Sequence, residues 1–312
     1  PWWNSSTEDL LTIDGRTFMA FGSLNLTTLS QAACVFYNMD MGEDYAQEDI
    51  FSLVMEGRWT IDKLIEMGSQ VYKDTDGNGV KDKTDQYGFA YAAKGDMDGY
   101  LQAFGKMLVE KDENGKLTAE RYYDEKLVSI MEKLHNLQSN SDFVWAEDAW
   151  NVGFNLFIEN TLLFGHGYIA MTQWGLRDSE IDYAIIPAPK WDEAQDRYYN
   201  TYSYTNCTAY AIPTTAPDLA RTGTIMEGMA EVSKYTLTPA YYDVALKGKF
   251  IRDEESAEML DMVLAQRAYD LGMIFNWGSM FSMITGLSTS ANSDFASQYE
   301  KKESATEKAI QK

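Results

Sequence analysis

The chain contains 312 residues, of which 45% are apolar and 13% aromatic, so it has the length for about two domains and a sizeable core. It carries 26 Lys and Arg against 48 Asp and Glu, which gives a formal net charge of −22. This charge repels phosphate backbones and anionic lipid surfaces, and therefore disfavours nucleic acids and membrane surfaces as partners. The two cysteines, Cys34 and Cys207, are too few for a disulfide scaffold and are not spaced as zinc ligands.

Helical and strand patterns alternate along the chain, which predicts an α/β fold. The predicted helices cover residues 60–73, 119–138, 217–235, 253–269 and 293–312. The predicted strands cover residues 32–37, 87–92, 168–172, 183–186 and 208–212. Thr60 is expected to cap the first helix, with Trp59 and Leu64 as a hydrophobic staple. No apolar run approaches the ~18 residues of a membrane span, and because the chain starts at Pro1 without a leader, we expect a processed or truncated product.

The segment from Asp74 to Asp85 carries the strongest local motif. With Gly79 at the sixth position, it matches the spacing of a twelve-residue calcium loop. The expected oxygen donors are Asp74, Asp76, Asn78, Asp82, Asp85 and the backbone carbonyl of Val80. The loop departs from the pattern because it closes with Asp rather than a bidentate Glu, and because a strand-like sequence follows it. The alternative is an ordinary Asp/Asn/Gly turn, and if calcium binds, we expect it to clamp a surface loop.

Catalytic motifs are weak in this sequence. His135 flanks the apolar stripe of a predicted helix and His166 lies in a predicted loop, so a packed or solvated side chain is the simpler interpretation of each. The sequence lacks the Gly-x-Ser-x-Gly motif and the common phosphate-binding loops. A carboxylate pair for glycoside hydrolysis can always be imagined among 48 acidic residues, so their abundance is uninformative.

Aromatic residues are more informative, because many of the 20 Tyr and 8 Trp lie at strand ends or in loops. This set comprises Trp2, Trp3, Tyr168, Trp174, Tyr198, Tyr199, Tyr202, Tyr204, Tyr241, Tyr242 and Trp277. Flat apolar rings suit sugars, whose C–H faces stack on them while their hydroxyls bond to polar groups. For any single ring, a place in the core is still the more common outcome. The pattern therefore indicates a carbohydrate site without fixing its members.

Several segments of the sequence occur in an order that resembles a known protein family. These segments are Ala33–Asp40, Gly57–Thr60, Asp74–Phe89, Gly167–Thr172 and Ile185–Pro189. Over essentially the whole chain, their order resembles the family 1 extracellular solute-binding proteins of ABC transporters, which are maltodextrin-binding-like receptors. Three later segments are similar to a branch of that family common in anaerobic Gram-positive bacteria. They are Thr238–Leu246, Arg252–Leu260 and Tyr269–Gly278.

The resemblance implies a two-lobed α/β fold of the periplasmic-binding-protein type (type II), whose lobes close over a ligand in the cleft between them. By comparison, the chain crosses between lobes near residues 34–36, 207–209 and 272–276. Residues 1–34 and 209–272 would then form the first lobe, and residues 35–206 and 277–312 the second. Family members carry on the order of a hundred residues before the stretch equivalent to Pro1–Trp3, so the resemblance implies a first lobe that is incomplete in this chain.

The resemblance also implies ligand contacts. The implied contacts are Trp174, Trp277, Asp98, Tyr100, Tyr202 and Tyr204. The two tryptophans lie where maltodextrin receptors place sugar-stacking rings. Positions 98 and 100 fall in a loop that corresponds to a cleft loop of the second lobe, and positions 202 and 204 precede the second crossing and are expected near the hinge.

The sequence therefore predicts the binding component of an ABC importer, secreted or lipid-anchored outside the cell, which delivers an oligosaccharide to permease subunits without covalent chemistry. We expect a monomer with no cofactor apart from the structural calcium ion. Two alternatives stay open: a secreted glycoside hydrolase that uses an Asp/Glu pair, and a calcium-dependent adhesion or cell-surface module. Cys34 and Cys207 fall at proposed crossings and are expected to be free thiols, unless their Cα atoms lie within the ~4.4–6.8 Å of a disulfide.

Overall fold

The structure is a computed structural model that describes residues 2–4, 11–13, 15–92, 97–120, 122–147, 151–203, 205–250, 254–288 and 294–311. It has an α/β architecture around a mixed five-stranded sheet, which confirms the predicted fold class. The strands of this sheet are β1 (Ala33–Asn38), β2 (Tyr87–Ala92), β3 (Val144–Glu147), β4 (Leu162–Tyr168) and β5 (Tyr183–Ile186). Their spatial order is β3-β2-β4-β1-β5.

Strand β1 occupies an inner position and runs antiparallel to both of its neighbours. Val35 at its centre pairs with His166 of β4 on one side and with Ile186 of β5 on the other. Strand β2 is parallel to β3 and to β4. All residues of β1, β2 and β5 are buried, and strands covered on both faces show continuous apolar runs in sequence. This explains why the predictions for these three strands agree with the structure.

Two other predicted strands were wrong. The strand expected at residues 168–172 is β4, which ends at Tyr168 and is followed by a short helix, so His166 lies inside a strand and not in a loop. Gly167 weakens the strand signal, but a Cβ there would lie 2.9 Å from the ring of Phe36, so this close packing requires glycine. The segment 208–212 forms only an isolated bridge between Tyr210 and Ala20, because no neighbouring strand continues the ladder.

Helices pack against the sheet, and others lie outside these contacts. The α-helices are α1 (Thr27–Ser30), α2 (Met39–Asp44), α3 (Ile50–Met55), α4 (Ile61–Ser69), α5 (Met97–Ala103), α6 (Glu125–Asn140), α7 (Val152–Ile158), α8 (Met171–Trp174), α9 (Leu219–Tyr235), α10 (Leu237–Pro239), α11 (Glu254–Ala265), α12 (Leu271–Phe275), α13 (Met280–Ser288) and α14 (Phe295–Ile310). Shorter or wider turns are 3₁₀ helices at Leu176–Asp178 and Trp277–Ser279 and a π-helix at Ala240–Phe250. Two short hairpins join Thr12–Ile13 to Arg16–Thr17 and Glu110–Lys111 to Leu117–Thr118.

Side-chain caps set where the long helices begin. The hydroxyl of Thr60 accepts the N–H of Lys63 at 3.2 Å, which confirms the predicted cap of α4. Helix α6 begins after Asp124, whose carboxylate accepts the N–H of Leu127 at 2.7 Å, so its predicted start at residue 119 was too early. Asp218 caps α9 in the same way. Each cap satisfies an N–H group that the first turn of a helix leaves without a partner.

Close backbone approach joins α4 to the sheet. A Cβ on Gly88 of β2 would lie 2.1 Å from the carbonyl oxygen of Gly68 in α4. Any residue larger than glycine at position 88 would therefore clash with the backbone of α4. Trp59, just before α4, is fully buried and donates its indole N–H to the carbonyl oxygen of Pro187 at 2.9 Å. Leu64 is also fully buried, as expected for the predicted staple.

In the region predicted as the first lobe, part of the apolar surface is left exposed by the rest of the chain. Helix α9 exposes several large apolar side chains, namely Leu219, Ile225, Met229, Val232 and Tyr235. In contrast, α11 packs against β5 and α3, which belong to the region predicted as the second lobe. The lobe boundaries therefore stay a prediction. Within the described part of the chain, no helix combines the length and apolar content that a bilayer crossing requires.

Candidate functional site

Three connecting segments, residues 30–33, 200–203 and 266–268, lie side by side next to the sheet. The N–H of Ala33 donates to the carbonyl oxygen of Thr201 at 2.9 Å, and a bridge pairs Ala32 with Tyr202. On the other side, the N–H of Ala268 donates to the carbonyl oxygen of Asn200 at 2.7 Å. Each segment ends a few residues before one of the predicted crossings. This arrangement gathers the parts of the chain that a hinge would contain.

A cavity of about 270 Å³ lies against these segments. Its walls come from Met19 and Phe21, from Thr201 and Tyr202, from Cys207 and Ala209, and from Ala268, Tyr269, Asp270, Met273 and Ile274. Positions 207–209 and 273–274 fall within the predicted second and third crossings. We call this space the hinge cavity. Its walls are mainly apolar with a few polar groups, which is the composition typical of small-molecule sites.

Stacked aromatic rings form one wall of the hinge cavity. The rings of Tyr202 and Tyr269 stack with centroids 4.3 Å apart and planes 26° apart, and Phe21 lies 4.5 Å from Tyr269. The hydroxyl of Tyr202 donates to the carbonyl oxygen of Thr28 at 2.7 Å, which fixes the ring. Burial raises the pKa of both phenols, so both rings are uncharged at neutral pH. The wall therefore offers a flat, neutral surface.

Asp270 links the cavity to residues of the region predicted as the second lobe. It caps α12 by accepting the N–H of Gly272 at 2.7 Å, and it also accepts the N–H of Leu108 at 2.6 Å and the side-chain amide of Gln102 at 3.2 Å. Burial raises the pKa of its carboxyl, while these hydrogen bonds act in the opposite direction. Both oxygens are engaged, so Asp270 holds α12 in place rather than acting as a free base.

The cysteines do not form a bridge. Both thiols are free, as the sequence predicts, with Cys34 buried inside β1 and Cys207 half-buried in the wall of the hinge cavity. Burial raises the pKa of Cys207 to about 12, and the nearby guanidinium of Arg267 offsets part of this effect. Burial also raises the pKa of Cys34. Both groups are therefore thiols and not thiolates at neutral pH, and neither is poised as a nucleophile.

The chemistry of the hinge cavity is suited to binding. Among the described residues of its wall, Asp270 provides the one carboxylate, so the pair of acids that glycoside hydrolysis requires is not assembled there. No histidine lines it either; His166 is buried in β4, where burial lowers its pKa to about 4 and its ring packs against Tyr100. Aromatic faces, thioethers and hydroxyls can hold a neutral, partly apolar ligand.

The structure separates the predicted ligand residues into different environments. Trp174 ends α8 with 54% of its surface exposed, and Trp277 is half-buried with its ring stacked on Phe275 at 4.9 Å. Both rings are accessible, and their contact with cargo stays a prediction. Tyr202 lines the hinge cavity, near the predicted hinge. The side chain of Asp98 and all of Tyr204 lie outside the described residues.

The position of Tyr100 contradicts the expectation that this residue contacts ligand. It is 1% exposed, and its ring packs among Phe89, Phe104 and His166. A ligand in a cleft cannot reach a ring enclosed in this way, so Tyr100 is a packing residue. The predicted loop around it is α5, which turns the ring toward the sheet. This outcome follows the general tendency of large aromatic residues to be buried.

Sequence reasoning missed Phe21, Tyr269 and Asp270 as members of the site. Phe21 precedes β1, whereas Tyr269 and Asp270 come more than two hundred residues later. Their partnership depends on the hydrogen bonds between connecting segments, which no local pattern displays. One signal was present: Tyr269 and Asp270 begin one of the segments that carry the family resemblance, directly before the predicted third crossing.

The predicted calcium loop is folded around its carboxylates. Asp74, Asp76 and Asp85 each bring a carboxylate oxygen within 4.8 Å of the others. Asp74 accepts the N–H groups of Gly77 and Gly79, both at 2.8 Å, while the buried Asp85 accepts the N–H of Thr75 at 3.0 Å. Backbone donors thus hold three acidic groups together, and a hard cation is the natural counterion for such a cluster.

The remaining predicted ligands are arranged differently. Asp82 is outside this cluster, because its carboxylate accepts the hydroxyl of Thr84 at 2.7 Å and the side-chain amide of Asn78 at 3.3 Å. Asn78 itself accepts the N–H of Val80 through its side-chain oxygen at 2.5 Å. The structure therefore brings together half of the predicted donor set, and the occupancy of the loop by calcium stays a prediction.

Comparison with known proteins places the fold. No protein-family model and no curated protein sequence matches the chain. Among solved structures, the chain is similar to the maltotriose-binding protein of Thermus thermophilus bound with maltotriose, with a TM-score of 0.61 and 14% identity over 99% of this chain and 76% of the other. It is also similar to an ABC transporter solute-binding protein from Agrobacterium radiobacter K84 in complex with ribitol, with a TM-score of 0.61 and 13% identity over 95% of this chain and 72% of the other.

A third similar structure is UgpB from Mycobacterium tuberculosis in complex with glycerophosphocholine. It has a TM-score of 0.61 and 12% identity over 99% of this chain and 74% of that protein. At these identities the comparisons show the fold, and they confirm the prediction that this chain has the α/β fold of the two-lobed solute-binding proteins. They do not show which ligand this chain binds.

Proposed function

We propose that the chain is the binding component of an ABC importer and that it captures a carbohydrate in the hinge cavity. The observation that carries this proposal is the position of the cavity in a fold shared with such proteins. Its wall combines the stacked rings of Tyr202 and Tyr269 with the segments that precede the predicted crossings. Ligand held there touches several connecting segments at once, and its binding can therefore favour one arrangement of them.

The walls of the cavity support a carbohydrate over a fully apolar cargo. The rings of Tyr269 and Phe21 line the cavity with apolar surface, and Thr201 adds a hydroxyl to the same lining. Similar folds have been solved with maltotriose and with ribitol, and these polyhydroxylated ligands are consistent with such a wall. No covalent step is required, because capture and release are equilibrium processes.

The proposal is tested by titrating the purified protein with a panel of neutral oligosaccharides in a calorimeter while reducing ends are assayed in parallel. We expect saturable binding of at least one glycan at a stoichiometry near one, without release of reducing ends. Appearance of new reducing ends would instead support a glycoside hydrolase. A protein that binds no glycan but whose melting temperature responds to a calcium chelator would support the adhesion module, and either result contradicts the proposal.

The cellular setting follows from the same proposal. A binding component of this kind works outside the cell, secreted or held at the membrane by a lipid anchor, and delivers its cargo to permease subunits. A monomer suffices, since one chain provides the whole hinge cavity. Copurification of the full-length protein with a permease from detergent-solubilised membranes, increased by the cargo glycan, tests this part. Recovery of the protein in the cytosolic fraction alone would contradict it.

The proposal also includes a structural calcium ion in the loop from Asp74 to Asp85. The donor set fits the ion, because Asp74, Asp76 and Asp85 supply close carboxylate oxygens while Asn78, Val80 and Asp82 lie on the same loop. Calcium would neutralise these like charges and connect the chain entering β2 to the loop. None of these residues lines the hinge cavity, so the ion is expected to act on stability and not on cargo.

A further inference from the structure

A second cavity, of about 190 Å³, lies behind the wall that Tyr202 forms. Its lining includes Trp2 and Trp3, Thr28, Lys234 and Thr238, and Arg267. Thr28 connects the two cavities, because its carbonyl oxygen accepts both the hydroxyl of Tyr202 at 2.7 Å and the guanidinium of Arg267 at 2.5 Å. The volume is smaller than that of the hinge cavity, about 270 Å³, and both lie below the range of about 300–1,000 Å³ usual for drug-sized ligands, so the second cavity suits one small group.

Two cationic side chains in this cavity lack an acidic partner. Among the residues that the structure describes, no carboxylate forms an ion pair with Arg267 or with Lys234. Arg267 is half-buried, its Nε atom has no hydrogen-bond acceptor, and its guanidinium carbon lies 5.5 Å from the ring centre of Tyr202. Arg267 is therefore partly desolvated and donates to a neutral carbonyl oxygen without a carboxylate partner, although the chain has a net charge of −22.

The opposite wall is aromatic and is held rigidly. The indole N–H groups of Trp2 and Trp3 donate to the two carboxylate oxygens of Glu227, at 2.7 and 2.6 Å. Glu227 does not line the cavity, and both of its carboxylate oxygens are occupied by the two indole N–H groups. The hydroxyls of Thr28 and Thr238 add polar edges. Rings, hydroxyls and two cations therefore meet in one small space.

We infer that this second cavity is a subsite for an acidic sugar unit, in which Arg267 and Lys234 bind the anionic group and the indoles of Trp2 and Trp3 face the sugar ring. Guanidinium is the preferred partner of carboxylate and phosphate groups, because its N–H donors match their geometry. The inference rests on the proposed function, since it assumes a carbohydrate cargo. It narrows that cargo to glycans that contain an anionic unit, carried as a carboxylate or as a phosphate ester.

The overall charge of the protein opposes the binding of an acidic cargo. A surface with a net charge of −22 repels acidic glycans, so an acidic unit binds only where the nearby cations Arg267 and Lys234 outweigh that repulsion. Local positive charge reverses that repulsion over short distances, within a Debye length of about 8 Å at physiological ionic strength. The affinity for an acidic sugar should therefore fall as salt is added, whereas the affinity for a neutral sugar should not.

The test compares uronic acids with their parent hexoses by calorimetry, with glucose 6-phosphate as the phosphate-bearing arm. We expect at least one acid to bind at least tenfold more tightly than its parent, and the preferred anion identifies carboxylate or phosphate. Lys234→Gln should remove most of this preference without affecting folding, because Lys234 is exposed. Arg267→Gln should remove it fully, and Arg267→Lys should restore part of it. Arg221→Gln changes the charge equally on the same helix, outside the cavity, and should have no effect.

The two proposals fail separately in this experiment. If neutral glycans bind and no acid is preferred, or if Lys234→Gln and Arg221→Gln behave alike, the acidic subsite is wrong and carbohydrate capture stands. If acids bind through Arg267 and Lys234 while no neutral glycan in the panel binds, the subsite stands and the hinge cavity is not a general carbohydrate site. Absence of binding by every sugar overturns both.

Discussion

The phenol of Tyr202 and the guanidinium of Arg267 donate to one acceptor, the carbonyl oxygen of Thr28, at 2.7 and 2.5 Å. Through this shared acceptor, the wall of the hinge cavity and the second cavity depend on the same residue of α1. The segments that carry Tyr202 and Arg267 are also bonded to each other, through Asn200. If either segment moves, it must therefore either break its hydrogen bond to Thr28 or move together with Thr28.

Removal of the Tyr202 hydroxyl tests this connection. Tyr202→Phe should lower the free energy of unfolding by about 1 kcal/mol, the usual net contribution of a hydrogen bond, because Arg267 still satisfies Thr28. Tyr202→Ala should cost about 3–5 kcal/mol, since it also empties a buried ring position. Urea denaturation measures both values. Tyr235→Phe, at an exposed tyrosine, should be neutral. Equal stability of Tyr202→Ala and the parent would contradict the packing described here.

Chemical modification of Cys207 reports on the hinge cavity. With its pKa raised to about 12, the folded thiol carries less thiolate than an unfolded one at any lower pH, so alkylation at pH 7 should be slow and should accelerate as the pH rises. Cys34 is fully buried and should react only after unfolding. Cargo should protect Cys207, and its alkylation should weaken cargo binding. Mass spectrometry of Cys34→Ala and Cys207→Ala variants assigns the modified site.

The outcome of that labelling decides where cargo sits. If a saturating glycan leaves the alkylation rate of Cys207 unchanged, the glycan does not occupy the hinge cavity. A control at a thiol added to the exposed position Ser69, which does not line the cavity, should show no protection in either case. Protection of both positions would indicate global stabilisation rather than a local contact.

Calcium should raise the melting temperature of the protein without changing its affinity for cargo. Binding to the folded state alone stabilises it in proportion to the logarithm of ligand concentration. The double variant Asp74→Ala/Asp76→Ala should lose the response, because it removes two of the three clustered carboxylates. Asp112→Ala is the matched control, since Asp112 also accepts backbone N–H groups in an exposed turn but has no acidic cluster. If millimolar calcium leaves the melting temperature unchanged, the predicted calcium site is wrong.

Local patterns predicted the parts of the fold whose signals are local. Thr60 caps a helix through a bond to the residue three positions ahead, and β1 is a continuous apolar run, so both were predicted from the sequence. The strand expected at residues 168–172 shares only Tyr168 with β4, because Gly167 is a poor strand residue whose presence is explained by a neighbour, Phe36, from another strand. Tertiary packing overrides propensity at such positions.

The candidate site was less predictable than the fold. The resemblance implied Tyr100 as part of a cleft loop and Tyr202 as a residue near the hinge, yet α5 turns the first into the core while the second lines a cavity. Their difference comes from which face of an element meets the sheet, and a single aromatic residue does not encode it. Tyr269 joins Tyr202 only because Ala268 bonds to Asn200 across more than sixty residues. Hydrogen bonds between distant connecting segments thus determine the site.

The last prediction concerns Trp174, whose ring is 54% exposed at the end of α8. A stacking role predicts that Trp174→Ala weakens glycan binding at least tenfold, about 1.4 kcal/mol, while the melting temperature stays within a few degrees of the parent. Trp59→Ala is the matched control, because Trp59 is fully buried and bonded to Pro187 and should lose about 3–5 kcal/mol of stability. Calorimetry and thermal melting of both variants separate the two roles. If Trp174→Ala keeps its affinity, the cargo does not contact the ring of Trp174 and the predicted stacking role is wrong.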